Sequence, residues 1–172
     1  ILHRFFSSND YSKQLVHETI SPSMDISVAS NFERLVYDFF LNRDSSKCAK
    51  MFDNFPIKPI ELDVETWQKK DSLFSSSKVD DLETTKTIQE IYQGNGYILD
   101  PHTAVAAVEA IKKSDSRNHF VVLSTAHPAK FPKVYEELNI EINSLPAALS
   151  GLFKKEEHLH SFDADYNQVT NF

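Results

Sequence analysis

Two consecutive segments of the chain share one order of apolar run, polar turn and helix-like pattern, and this repetition constrains the fold most strongly. The first segment covers residues 97–113 and the second covers residues 120–138. Each begins with a short apolar run typical of a buried strand, and each ends with apolar residues at helical spacing. About 20 residues separate the two runs, which is the length of a βαβ crossover. The pattern predicts an α/β fold with parallel strands and flanking helices.

The turns that follow the two predicted strands, residues 100–103 and 124–128, are the best candidates for a functional site. Ligands of open parallel sheets bind at the carboxyl ends of the strands, where these turns would lie. Two strands are too few for an independent sheet, which typically has about four to six. We therefore expect the sheet to be completed by residues that this sequence does not contain.

The remainder of the chain reads as helices, one excursion and a tail. Ser30 and Glu33 form a capping-box pattern, as do Asp80 and Glu83. Helices are predicted over residues 31–42, 45–54 and 64–70, from Asp80 to Gly94, and over 146–153. The serine- and proline-containing stretch 43–79 is predicted to be a variable surface excursion, and residues 154–172 to be a carboxyl-terminal tail.

Composition excludes several classes of function. The chain has 18 basic and 25 acidic residues and a net charge of −7, so nucleic acid is not an expected partner. It has three glycines and no glycine-rich loop that could hold a phosphate. No apolar run reaches the roughly 20 residues of a membrane span. The single cysteine, Cys48, favours a reducing compartment, and the cytoplasm is the expected location.

The polar residues of the two turns allow more than one interpretation. His102 and His127 occupy equivalent positions and could bind zinc with Asp100, but their spacing matches no metal signature, so no metal is predicted. Ser124 and Thr125 could cap a helix or point into a ligand crevice. Ser21 likewise belongs either to a simple turn or to a ligand-lining loop. No nucleophile elbow is present, which disfavours a serine hydrolase.

Three ordered blocks of residues resemble threonine synthases of the long fungal and bacterial form. The first comprises residues 17–26 and 29–35, with the sequences HETISPSMDI and ASNFERL. The second is YILDPHTAV at residues 97–105, and the third is LSTAHPAKF at residues 123–131. The resemblance extends from the start of the chain to about Leu138. In that family these blocks belong to the carboxyl-terminal part of the enzyme.

The resemblance implies a tryptophan-synthase-β-like enzyme of pyridoxal-phosphate fold type II, of which residues 1–172 are the carboxyl-terminal portion. Such a lyase converts O-phospho-L-homoserine and water into L-threonine and phosphate in amino-acid biosynthesis. The family's Schiff-base lysine and phosphate loop have no counterpart here. They are expected upstream, in the remainder of the same polypeptide, so this fragment alone is expected to be inactive.

The resemblance also assigns candidate residues. It places at Thr125 the hydroxyl that bonds the pyridine nitrogen of the cofactor, pyridoxal 5'-phosphate. Five further residues are candidates for lining the same crevice: Ser21, Met24, Asp25, Asp100 and His102. Asp100 and His102 are alternatively expected to hold the turn of Thr125 in place.

Two other functions remain open at this point. A threonine-synthase-like phospho-lyase would release phosphate and yield 2-oxobutyrate and ammonia. A non-catalytic binding domain is the alternative if the gene encodes only this chain.

Overall fold

The computed structural model describes residues 1–115, 117–142, 145–147, 150–151 and 154–172. These residues form two compact units, Ile1–Ile140 and Glu141–Phe172. The α-helices are α1 (Leu2–Ser8), α2 (Phe32–Leu35), α3 (Ser45–Phe52), α4 (Val64–Gln68), α5 (Asp81–Asn95), α6 (Pro101–Lys113), α7 (Pro132–Glu137) and α8 (Tyr166–Thr170). Helix α2 continues directly into a π-helical turn, Val36–Phe40. Short 3-10 turns cover Pro22–Met24, Lys69–Ser72 and Pro128–Lys130. None of the described helices is long and apolar enough to cross a membrane.

An aromatic core forms where α1, α2 and the π-helical turn meet. Phe32, Val36 and Phe40 recur every four residues, so they lie on one face of the helix, and all three are buried. The ring of Phe32 stacks on Tyr11 at a centroid distance of 3.9 Å and meets Phe5 edge-on at 4.6 Å. These contacts fix the amino-terminal half of the first unit.

Residues of the segment 43–79, which is predicted to be a surface excursion, pack against this aromatic core. Ile60 and Leu62 are buried in the cluster. The backbones of Tyr11 and Ile60 exchange two hydrogen bonds of 3.3 Å, which form an antiparallel bridge. The backbone of Asn9 is in the left-handed region with φ 59°. Its side chain donates to the backbone oxygen of Leu62 at 2.6 Å and accepts from the Leu62 N–H at 3.1 Å. Part of the segment 43–79 therefore contributes to the core.

Helices α5 and α6 pair with each other and carry the candidate site. Ala104, Ala107 and Val108 are the buried apolar residues of α6, and two small alanines on this face allow close approach. Lys112 of α6 also bonds the carboxylate of Glu83 on α5 at 2.6 Å. The pairing holds the first turn of α6 in a fixed position.

The predicted parallel strands are not confirmed among the described residues. Residues 97–99 and 120–123 have no strand partners in that part of the chain. A strand needs a neighbour that accepts and donates its backbone hydrogen bonds. Val121 and Leu123 are 88% and 73% exposed, so the apolar run lacks a covering layer as well as a neighbour.

The predicted turn at 100–103 is also wrong, because helix α6 already begins at Pro101. Asp100 is the N-cap, and its carboxylate accepts hydrogen bonds from the backbone N–H groups of His102 and Thr103. Proline at the first helical position has no N–H to leave unpaired and has the φ that a helix needs. The polar residues of this turn are therefore the cap and first turn of a helix.

The other predicted helix boundaries lie close to the observed ones, apart from local differences. The Ser30–Glu33 capping box is wrong, because α2 has Asn31 as its N-cap with no side-chain cap bond. Helix α5 ends at Asn95 and not at Gly94, and its C-cap is Gly96, in the left-handed region with φ 75°. In the second unit, the sequence pattern does not predict α8, and Asp165 caps this helix by accepting from Gln168 N–H at 2.9 Å. The helix predicted over 146–153 includes positions outside the described residues.

Candidate functional site

The buried carboxylate of Asp100 organises the candidate site. Asp100 is 2% exposed. Its Oδ1 accepts from the N–H of His102 at 3.0 Å and from the N–H of Thr103 at 3.3 Å. Its Oδ2 accepts from the Thr103 hydroxyl. Both oxygens of this carboxylate are thus occupied inside the protein, as a buried charge requires.

His102 connects the start of α6 to the 3-10 turn Pro22–Met24. Its Nε2 accepts from the backbone N–H of Ser23 at 3.1 Å, so Nε2 carries a lone pair and Nδ1 carries the hydrogen. Nδ1 lies 3.2 Å from Asp100 Oδ1, to which it donates. Because both ring nitrogens are engaged in hydrogen bonds, His102 has none left for a metal ion.

Thr103 connects the start of α6 to residue 125. Its Oγ1 accepts from the backbone N–H of Thr125 at 3.1 Å while its own hydrogen goes to Asp100. From the sequence, Thr103 is predicted to lie in a polar turn without a functional role. A threonine three residues after an aspartate N-cap was the available signal, but it did not reveal a partner 22 residues away.

A groove of about 620 Å³ separates the 3-10 turn Pro22–Met24 from residues 120–125. Met24, His102 and Thr125 all line this groove. The Thr125 side chain is exposed there, and its hydroxyl has no hydrogen-bond partner among the residues that the structure describes. The groove therefore presents a free hydroxyl from a residue whose backbone is held.

The remaining candidates do not line this groove. Ser21 is buried, and its Oγ lies 3.1 Å from Oγ1 of Thr19. Asp25 accepts from the Thr19 N–H at 2.7 Å and from the Thr19 hydroxyl at 2.8 Å. Both residues order the loop that leads into the 3-10 turn. His127 Nδ1 accepts from Ala129 N–H at 3.2 Å and so caps the turn Pro128–Lys130.

Within the described ranges, no three histidine, cysteine, aspartate or glutamate side chains come close enough together to hold a metal ion. His102 and His127 are engaged separately, the first with Asp100 and Ser23 and the second with Ala129. Their equivalent positions in the sequence thus correspond to two separate hydrogen-bonding roles.

Tyr135 of α7 supports the site from behind, because its hydroxyl donates to the backbone oxygen of Leu99 at 2.7 Å. Burial raises the pKa of Tyr135 well above its usual range, and the negative charge of Asp100 raises it further. The folded protein thus favours the neutral phenol. Since the unfolded phenol ionises near pH 10, this contribution to stability is complete below about pH 10 and is lost as the pH rises beyond it.

We expect that Tyr135 does not ionise in the folded protein at pH values where exposed tyrosines do. The measurement is the difference in ultraviolet phenolate absorbance between the wild type and Tyr135→Phe during an alkaline titration. The variant Tyr166→Phe, which removes one exposed phenol, is the control. A Tyr135 difference signal near pH 10 with the protein still folded would contradict the prediction.

Two solved structures of similar fold are threonine synthases. The structure of threonine synthase from Brucella melitensis with bound pyridoxal phosphate superimposes with a TM-score of 0.83 at 32% identity, covering 99% of this chain and 37% of that one. Yeast threonine synthase gives a TM-score of 0.77 at 33% identity, covering 99% and 38%. The fold is therefore that of the carboxyl-terminal part of these fold type II enzymes.

Sequence comparison gives the same result. The family model described as "Threonine synthase, C-terminal" matches residues 103–172. Threonine synthase from Pseudomonas aeruginosa is 42% identical over 160 residues, which cover 91% of this chain and 34% of that protein. The chain belongs to the threonine synthase family and corresponds to its carboxyl-terminal region. It spans about a third of the length of the relatives that it matches.

Proposed function

We propose that this region belongs to an enzyme that converts O-phospho-L-homoserine and water into L-threonine and phosphate with pyridoxal phosphate as cofactor. The observation that carries the proposal is the free hydroxyl of Thr125 in the groove, on a backbone held by Thr103. The resemblance to threonine synthases assigns to this position the partner of the cofactor's ring nitrogen. The similar proteins are threonine synthases, one of them solved with bound pyridoxal phosphate, which supports the proposed reaction and cofactor.

The residues present fit one side of the cofactor. The groove offers a hydroxyl to a ring nitrogen, with Met24 and His102 on its other wall. The three glycines, at positions 94, 96 and 151, do not form a phosphate-binding loop. We therefore propose that this chain contributes the ring side of the site and that other parts of the polypeptide contribute the phosphate loop and the cofactor-bearing lysine.

When bound, pyridoxal phosphate supplies the electron sink that this chemistry needs. The contribution of Thr125 is a neutral group that can donate or accept a hydrogen bond at the ring nitrogen. A carboxylate in the same place would favour a protonated nitrogen and a stronger sink. Asp100 is the nearby buried carboxylate, and its oxygens are already bonded to His102 and Thr103. The Asp100 carboxylate is thus bonded to these two residues and not to the Thr125 hydroxyl.

His102 and Met24 are proposed to shape the wall opposite Thr125. His102 holds the Ser23 N–H, which fixes the 3-10 turn on which Met24 lies exposed to the groove. Ser21 and Asp25 order the loop before this turn through Thr19. Their proposed roles are therefore in positioning the wall.

The reaction is tested with the full-length enzyme and O-phosphohomoserine. Threonine and phosphate in equal amounts are the expected products, with one water consumed per turnover. 2-Oxobutyrate and ammonia with phosphate would show a phospho-lyase, and no turnover with no bound cofactor would show a non-catalytic domain. Borohydride reduction of this chain alone with pyridoxal phosphate is expected to label no single lysine, and one specifically labelled lysine would overturn the proposed division of the site.

We also propose that the protein functions in the cytoplasm. The chain has one cysteine, Cys48, which is buried and is not part of a disulfide. A cysteine of this kind is typical of reducing compartments. The proposed partners are the small-molecule substrate and the remainder of the polypeptide.

A further inference from the structure

We propose that Thr103 is a positioning residue that sets the place of the Thr125 hydroxyl by holding the Thr125 backbone. The inference rests on the proposed function, because it treats the Thr125 hydroxyl as the group that meets the cofactor. It adds a residue that does not itself reach the cofactor ring. Thr103 acts through a backbone amide and is buried beneath the groove.

The direction of each hydrogen bond follows from the chemistry of the groups. The Thr125 N–H can only donate, so Thr103 Oγ1 must be its acceptor. The hydroxyl hydrogen of Thr103 is then free for Asp100 Oδ2, which as a carboxylate oxygen can only accept. Asp100, Thr103 and Thr125 thus form a chain of hydrogen bonds with one possible polarity. A serine can replace Thr103 in this chain, whereas a valine of similar shape cannot.

Within the described residues, this bond restrains the segment that carries Thr125. No other hydrogen bond among the described residues involves a backbone group of residues 119–126. The preceding side chains of Val121 and Leu123 are largely exposed and pack weakly. Within the described residues, the position of residue 125 is therefore tied to α6 through Thr103.

Helix α5 provides a matched control for the loss of a buried threonine hydroxyl. Thr84 is also buried near the start of a helix with an aspartate N-cap, Asp80. Its Oγ1 donates to the backbone oxygen of Asp80 at 2.8 Å and makes no bond to Thr125. Thr84→Val therefore has the stability cost of a lost buried hydroxyl without the proposed positioning effect.

The first measurement is hydrogen exchange at the Thr125 amide, made at single-residue resolution on the full-length enzyme freed of cofactor. We expect exchange to be about tenfold faster in Thr103→Val than in wild type, Thr103→Ser or Thr84→Val. An unchanged rate in Thr103→Val would overturn the inference and leave the proposed function intact. If Thr103→Val does not fold, the wild-type rate decides, because exchange at Thr125 as fast as at an unprotected amide would overturn the inference and slow exchange would support it.

The second measurement is the absorption spectrum of the bound cofactor in the holoenzyme. Thr103→Val should shift the spectrum in the same direction as Thr125→Val, and Thr103→Ser should restore the wild-type spectrum. Thr84→Val should leave it unchanged. A shift with Thr125→Val but none with Thr103→Val would overturn the positioning role alone. No shift with Thr125→Val would overturn the proposed contact of Thr125, whatever the amide exchange shows.

Discussion

Replacing Thr125 by valine in the full-length enzyme is expected to lower kcat by about 2- to 13-fold and to shift the absorption of the bound cofactor. A hydrogen bond between neutral partners contributes about 0.5–1.5 kcal/mol, which corresponds to this range of rates. The Thr125 side chain is exposed in this region, so the change in unfolding free energy should stay within about 0.5 kcal/mol. Steady-state kinetics, the cofactor spectrum and urea unfolding measure the three quantities.

Two variants show whether the hydroxyl itself is responsible. Thr125→Ser keeps the hydroxyl and should retain most of the activity. Thr85→Val makes the same chemical change on α5, where the hydroxyl donates to the backbone oxygen of Asp81, and should leave the spectrum unchanged. Equal kinetics and spectra for wild type and Thr125→Val would remove Thr125 from the site.

Phe32→Ala is expected to lower the free energy of unfolding by about 3–5 kcal/mol, the usual cost of truncating a buried phenylalanine. Phe32 is 2% exposed and stacks on Tyr11, with Phe5 packed edge-on against it. The variant leaves a cavity and loses two aromatic contacts at once. The measurement is the urea midpoint of the full-length protein, followed by far-ultraviolet circular dichroism.

Tyr37→Ala is the matched control for Phe32→Ala. Tyr37 belongs to the π-helical turn that continues α2, but it is 37% exposed. Its replacement should cost within about 1 kcal/mol, since surface positions contribute little packing. Comparable losses for Tyr37→Ala and Phe32→Ala would mean that the aromatic cluster does not provide the stability inferred for it.

The sequence predicts helices well where the determinants are local. An aspartate at residue 80 followed by periodic apolar residues identifies α5. The four-residue spacing of Phe32, Val36 and Phe40 identifies the buried face of α2 and of the π-helical turn that continues it. Strand formation differs, because an apolar run becomes a strand only beside a partner. The run at 120–123 has the composition of a strand and no neighbour within the described residues. Local pattern could not decide that outcome.

The candidate site also has features that the sequence predicts and features that it does not. Family resemblance identified Thr125, Asp100 and His102, and the structure places all three around the start of α6. The bond between Thr103 and Thr125 joins residues 22 apart, and no periodicity indicates it. Ser21 and Asp25 share the matched block with Met24, but only Met24 lines the groove, because side-chain direction depends on a turn that pattern does not specify.

The carboxylate of Asp100 bonds both His102 and Thr103. This sharing limits how the groove lined by Met24 and Thr125 can be redesigned. Through His102 it reaches one wall, at Ser23, and through Thr103 it reaches the other, at Thr125. A substitution at residue 100 therefore changes both walls together, whereas substitutions at 102 or 103 change one each. Selection for a different substrate could vary the two walls separately only while Asp100 is retained.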